Sequence, residues 1–172
     1  DIAQILLGNG SHELLMQFAR VFAGPGADVV ASKYGFAVYA IAAQAAGATL
    51  HVAPCNADDH AMPRGHDLDA IAAAIAPSTR LVYLANPNNP TGTWYGADAF
   101  ERFMSNVPSN VLVVVDEAYA EFVDAPEWAS ALALVSTGSA DLETQRCRAR
   151  IRRIAVIGAR QAAADTTGGS RV

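Results

Sequence analysis

Val111 to Phe122 reads VLVVVDEAYAEF. Five apolar residues in a row, four of them valine, suit a strand buried on both faces, as happens when helices cover both sides of a parallel sheet. The run stops abruptly at two carboxylates, Asp116 and Glu117. In an open α/β sheet, ligands sit outside the carboxyl ends of the strands. A carboxylate there either caps the next turn, or is solvated, or is held against a cationic group.

Working back from this strand, Arg80–Ala85 (RLVYLA) is a second buried strand. It runs directly into Asn86–Gly92 (NPNNPTG), where two prolines and three asparagines make a rigid polar shelf at the strand's carboxyl end. A helix from about Ala97 to Asn106 joins the two strands. Further upstream, Ala27–Ser32 (ADVVAS) and Thr49–Pro54 (TLHVAP) read as strands, with a small-residue helix from Val38 to Ala46 between them, stopped by Gly47. Asn56 to Gly65 is a polar, turn-rich loop. A helix from Asp67, its expected cap, runs to Ala76 and is closed by Pro77. Strands alternating with helices call for a parallel sheet with right-handed crossovers. The fold class is α/β, a three-layer αβα sandwich.

The amino-terminal stretch adds one feature. Ile2–Leu7 is a short strand or the end of a helix, and Gly8-Asn9-Gly10-Ser11 follows. A helix then continues through Phe22, with Leu14, Leu15, Phe18 and Val21 on one face. Ser11 is the expected N-cap and Glu13 lies in the first turn. Free backbone N–H groups and the helix dipole make such a start an anion site, although most turns of this type bind nothing.

The 172 residues fit one ordinary domain, and an apolar fraction of 52% is enough for a real core. The net charge of −5 argues against a nucleic-acid protein, but it is unevenly spread. Residues 1–134 carry five Lys/Arg against fourteen Asp/Glu, whereas residues 135–172 carry seven Arg against three. That asymmetry marks a composition boundary near residue 134. Cys55 and Cys147 lie far apart without ligand spacing, and the four histidines show no pairing that suggests a metal site. A reducing cytoplasm is therefore the expected compartment. No apolar run approaches membrane-spanning length. The chain opens on Asp1 with no visible signal peptide, which leads us to expect that it begins partway through a gene product.

GNGSHELL at 8–15, SKYGFAVY at 32–39, NPNNPTG at 86–92 and VVVDEAYAEF at 113–122, in that order and spacing, closely resemble the fold-type-I pyridoxal-phosphate aminotransferases. Within these, the histidinol-phosphate aminotransferases are most similar. The likeness covers about residues 2–130 and implies an incomplete large domain, about half of a complete enzyme. It implies pyridoxal 5'-phosphate as cofactor, a small-molecule amino-acid substrate and a 2-oxo acid as partners, and a homodimer for the intact enzyme. The implied reaction, in histidine biosynthesis, is histidinol phosphate plus 2-oxoglutarate to imidazole-acetol phosphate plus glutamate. By the same resemblance Asp116 pairs with the ring nitrogen, which must stay protonated for the cofactor to act as an electron sink. Asn89 and Tyr119 hold the ring oxygen. An aromatic side chain stacks on the ring, for which Phe36 is favoured and Tyr34 is second. The phosphate sits on backbone amides of Gly10, Ser11 and His12.

The catalytic group is missing. The family's Schiff-base lysine is expected some thirty residues after the aspartate, where this chain reads Gln145-Arg146-Cys147-Arg148, and no lysine occurs after Lys33. Arginine stays protonated and cannot replace it. Lys33 leaves a different strand and reads as an exposed loop residue. From about Val135 the composition turns to Arg, Ala, Gly and Thr, as a frame shift or an unrelated fused segment would produce. Only Ile151–Gly158 (IRRIAVIG) there suits a strand. The basic run Arg146–Arg153 lacks the aromatic interleaving of a nucleic-acid surface. Two other readings stay open: a non-catalytic cofactor-binding remnant, and a pyridoxal-phosphate-dependent decarboxylase of a phosphorylated amino acid.

Overall fold

The computed structural model describes residues 5–133 and 153–158. Five parallel strands form one sheet in the order β2-β1-β3-β4-β5. They are β1 (Asp28–Ser32), β2 (Thr49–Ala53), β3 (Thr79–Ala85), β4 (Leu112–Asp116) and β5 (Arg153–Ile157). The helices are α1 (Gly10–Phe22), α2 (Val38–Ala46), α3 (Leu68–Ala73) and α4 (Ala97–Asn106).

The period-two alternation of strand side chains divides the core into two layers. On one face Val30, Val82, Leu84, Val113 and Val115 meet Leu68 and Ile71 of α3 and Phe100, Phe103 and Met104 of α4. On the other, Val29, Ala31, Leu81, Tyr83 and Val114 meet Leu15 and Ala19 of α1 and Tyr39, Ala42 and Ala43 of α2. The valine run of β4 is thus apolar throughout because both of its faces are covered. Each fully buried side chain of this size contributes roughly 1.5–3 kcal/mol by leaving water. In α2 the small residues keep α1 and α2 close on the same face, and Gly47 ends the helix at φ 73°, where a side chain would be strained.

Several features differ from expectation. α1 begins at Gly10, so Asn9 rather than Ser11 is the capping residue, and the Asn9 amide donates to the Glu13 carboxylate. Val21 is exposed, because the buried stripe of α1 runs through Leu15 and Ala19. α3 stops at Ala73 instead of Ala76, since the Thr79 hydroxyl captures the Ala76 N–H at 2.9 Å and draws the chain toward β3. Asp67 caps α3 as expected, accepting from the Ala70 N–H at 2.9 Å. Residues 5–7 form neither strand nor helix.

β5 lies within the segment that reads as foreign by composition. It pairs in parallel with β4 from Leu112↔Arg153 to Asp116↔Ile157.

The strand order reverses between β1 and β3: α2 carries the chain outward from β1 to β2, and α3 carries it back to β3 on the opposite face. At such a switch point the crossovers diverge and leave a crevice above the carboxyl ends.

Candidate functional site

That crevice is a small cavity at the carboxyl edge of the sheet. From α1 it receives Ser11, and from the segment after β1 it receives Phe36 and Tyr39. The end of β3 contributes Ala85, Pro87 and Asn89; the end of β4 contributes Asp116, Ala118 and Tyr119. A more open groove shares Pro87, Asn89 and Tyr119 with the cavity and extends past Trp94 and Phe122.

Local chemistry places each group. The Asn86 N–H donates to the Asp116 carbonyl at 2.9 Å, which continues the β3–β4 ladder up to the first residue of the asparagine–proline loop. The Asn86 side chain then spans to Tyr95, donating to its carbonyl and accepting from its N–H, both at 3.1 Å. Asn88 donates to the Tyr34 carbonyl at 2.9 Å and to Thr91 Oγ1 at 2.7 Å. Backbone bonds Asn88 N to Thr93 O and Gly92 N to Asn88 O, both 2.8 Å, close the loop on itself, with Gly92 at φ 68°. Asn88 is therefore a shaping residue, and Asn89 is the one turned to the cavity.

Asp116 is only 7% exposed. Its side chain accepts the Ala118 N–H at 3.1 Å, so it does cap the turn after β4 as well as face the cavity. Burial pushes its carboxyl up to about 6; the Ala118 bond opposes this and the neighbouring Glu117 adds to it. A buried carboxylate with so little hydrogen bonding is stabilised by a cation at its open oxygen. This donor set fits a protonated ring nitrogen. Tyr119 is 47% exposed and lines the cavity, so it is not a core tyrosine.

Of the residues singled out by sequence, Ser11, Phe36, Asn89, Asp116 and Tyr119 come together around this cavity. Gly10 and His12 flank Ser11 in the first turn of α1 without lining it, and the His12 side chain is exposed. Tyr34 also stays outside: Lys33 Nζ lies 5.4 Å and Arg64 Cζ 5.9 Å from its ring centroid. Lys33 is exposed and does not line the cavity.

Sequence reasoning missed four contributors. Tyr39 is buried and stacked on Tyr83 at 4.8 Å, yet it also lines the cavity. Ala85, Pro87 and Ala118 also line it, and their apolar side chains carry no chemical signal in sequence. Glu117, read as a cap or a solvated group, is instead 7% exposed. It accepts from Ser130 Oγ at 2.5 Å and the Ala131 N–H at 2.7 Å, tying the end of β4 to a distant segment. Burial raises its pKa, and those two hydrogen bonds oppose the rise.

Comparison with known proteins completes the description of the site. The family model of class I and II aminotransferases matches residues 1–146. Histidinol-phosphate aminotransferase 2 of Pseudomonas aeruginosa is 52% identical over 127 residues, covering 74% of this chain and 33% of that protein. Its namesake in Hydrogenovibrio crunogenus is 54% identical over 129 residues, covering 75% and 33%. Among solved structures, the histidinol-phosphate aminotransferase of Sinorhizobium meliloti in complex with pyridoxal-5'-phosphate superposes with a TM-score of 0.66 at 34% identity, covering 73% of this chain and 33% of that one. A putative histidinol-phosphate aminotransferase of Erwinia carotovora atroseptica gives 0.71 at 32% identity, covering 79% and 38%. The chain spans about a third of the length of the curated relatives it matches, less than the half expected from motifs.

Proposed function

The chain belongs to the class I and II aminotransferases, and from that premise we propose that it is the cofactor-holding part of a histidinol-phosphate aminotransferase. The observation that carries this reading is the meeting of Asp116, Asn89, Tyr119, Phe36 and Ser11 around one cavity, from elements spread over more than a hundred residues. When bound, pyridoxal phosphate supplies an electron sink for bonds at the substrate's amine-bearing carbon. The buried Asp116 carboxylate holds a proton on the ring nitrogen, because only a cation there offsets its own desolvation. Asn89 and Tyr119 donate to the ring oxygen and fix the ring's rotation, and Phe36 covers one ring face and excludes water. The N–H groups of Gly10, Ser11 and His12 have no partner within the helix and take the phosphate.

In the intact enzyme the transfer runs from histidinol phosphate to 2-oxoglutarate, in the cytoplasm and within a homodimer. The relatives' names support the aminotransferase reading above the decarboxylase. Residues 1–134 form part of the cofactor domain, and residues 135–172 are a divergent segment whose described residues include β5. With no lysine after Lys33, this polypeptide holds the cofactor without turning it over. Among the described residues no helix is long and apolar enough to cross a membrane.

A visible absorption titration of the chain with pyridoxal phosphate, before and after borohydride and followed by peptide mapping, tests this. Saturable binding that Asp116→Asn weakens is expected, with no reduced adduct on any lysine. A reducible adduct at Lys33 would overturn the non-catalytic assignment, and the absence of saturable binding would overturn the cofactor assignment.

A further inference from the structure

We infer that His66 is a positioning residue for this site: its imidazole holds the carboxyl end of β3 in register at the point where β1 stops pairing with it. The role in the site rests on the cofactor reading above; the hydrogen bond itself does not.

The argument starts from strand geometry. Because the Asn86 N–H points to β4 and donates to Asp116, the alternation of a strand turns the Ala85 N–H the other way, toward β1. The register of β1 with β3 extends only to Val30↔Val82. Beyond it the end of β1 is committed elsewhere: the Ser32 carbonyl accepts from Gly35, and the Lys33 N–H donates to Ala53. The Ala85 N–H would be a buried donor without a partner, which folded proteins rarely tolerate. His66 Nε2 accepts it at 3.0 Å.

The fold delivers the ring from a distance. His66 bridges Cys55 across the base of the 56–65 loop, which is closed by Asn56 N to Gly65 O at 3.0 Å and Arg64 N to Asn56 O at 3.1 Å. Its ring lies 6.2 Å from that of Tyr95, the residue whose backbone clasps Asn86. Positions 85 and 86 are thus held by His66 on one side, by Asp116 on the other, and by Tyr95. Ala85, Pro87 and Asn89 all line the cavity, so a shift of this strand end moves three of its walls.

An imidazole nitrogen that accepts carries no proton, so the proton of His66 must sit on Nδ1. Nδ1 is buried and has no hydrogen-bond partner among the described residues. Burial of the ring lowers its pKa to about 4, in keeping with a side chain that is neutral near pH 7.

The first test needs no variant. A long-range ¹H–¹⁵N imidazole spectrum of the 172-residue chain should show His66 protonated at Nδ1 and bare at Nε2 near neutral pH. A proton on Nε2 would overturn the inference. The second compares His66→Gln, whose amide oxygen can accept in place of Nε2, with His66→Leu, which cannot. Amide exchange at Ala85 should be roughly tenfold faster in H66L than in H66Q, the scale of one lost hydrogen bond, with Val114 unchanged. Affinity for pyridoxal phosphate should fall several-fold in H66L and be rescued in H66Q. Equal exchange in the two variants, or equal loss of affinity, would overturn the positioning role. A wild-type chain that binds no pyridoxal phosphate would instead overturn the cofactor reading, with the imidazole spectrum and Ala85 exchange still deciding the hydrogen bond.

Discussion

The Asn86 amide and the Asp116 carbonyl are joined by a 2.9 Å hydrogen bond at the last rung of the β3–β4 ladder. The loop that carries Asn89 and the turn that carries Tyr119 therefore leave the sheet from a shared anchor. The groups assigned to the cofactor's ring nitrogen and ring oxygen sit on that anchor, and rigid strands hold such groups better than loops do.

Asp116 should trade stability for binding. Its folded pKa of about 6 lies above the model-peptide value near 3.8. The folded state thus grips the proton more tightly, a contribution present below about 3.8 and lost as pH rises through 6. At pH 7 the ionised group costs on the order of 3 kcal/mol. Asp116→Asn keeps an oxygen for the Ala118 N–H, so it should stabilise the cofactor-free chain by up to about that amount while weakening pyridoxal phosphate binding at least tenfold. Urea melts and binding titrations at pH 7 check both halves; equal stability would refute the first.

His66 should push the other way with pH. Its folded pKa of about 4 lies below the usual 6.5, so its contribution is full above 6.5 and is lost as pH falls toward 4. The full swing is on the order of 3 kcal/mol. Between pH 6 and 4 the two groups oppose one another, and the wild-type chain should show a shallow profile. D116N should steepen the acid loss, and H66Q should reverse the profile so that stability rises as pH falls from 6 to 4, read as urea midpoints across that range.

Glu117 is expected to anchor rather than react. Glu117→Ala leaves the Ala131 N–H and Ser130 hydroxyl without their acceptor, at a cost of about 1–3 kcal/mol. Ser130→Ala should cost less alone, and in the E117A background it should add little. Strict additivity of the two would rule out their coupling.

Tyr83 joins the sheet to α1, since its hydroxyl donates to the Leu15 carbonyl at 2.6 Å in a buried setting. Tyr83→Phe should lower stability by about 1 kcal/mol. Because Ser11 begins the same helix, hydrogen exchange in the first turn of α1 should rise as well. An unchanged thermal midpoint would show that the bond carries no net stability.

Self-association is expected from the surface. Leu7 is 88% exposed, Phe122 77% and Ile5 65%, and large apolar side chains at such exposure favour association. Sedimentation velocity should show concentration-dependent oligomers that Phe122→Ser reduces. A monomer at all concentrations would count against this.

The sequence by itself determined the order of elements and the chemistry at their ends. The valine run, the asparagine–proline loop and Gly47 each encode local structure through short-range sterics and burial period, so β4, α2 and α4 were legible to within a residue. The family resemblance that those motifs carry likewise implied Asp116, Asn89 and Tyr119. Tertiary structure alone decided what no local pattern records. Glu117 is as buried as Asp116 because residues 130–131 fold over it, and Phe36 reaches the cavity whereas Tyr34 is covered by Lys33 and Arg64. β5 joins the sheet despite its basic surroundings, since backbone pairing with β4 depends little on composition. His66 carries no motif, and its role arises only where one strand outruns its neighbour. A hydrogen-bond vacancy of that kind belongs to the packing of distant segments, and a linear sequence does not display it.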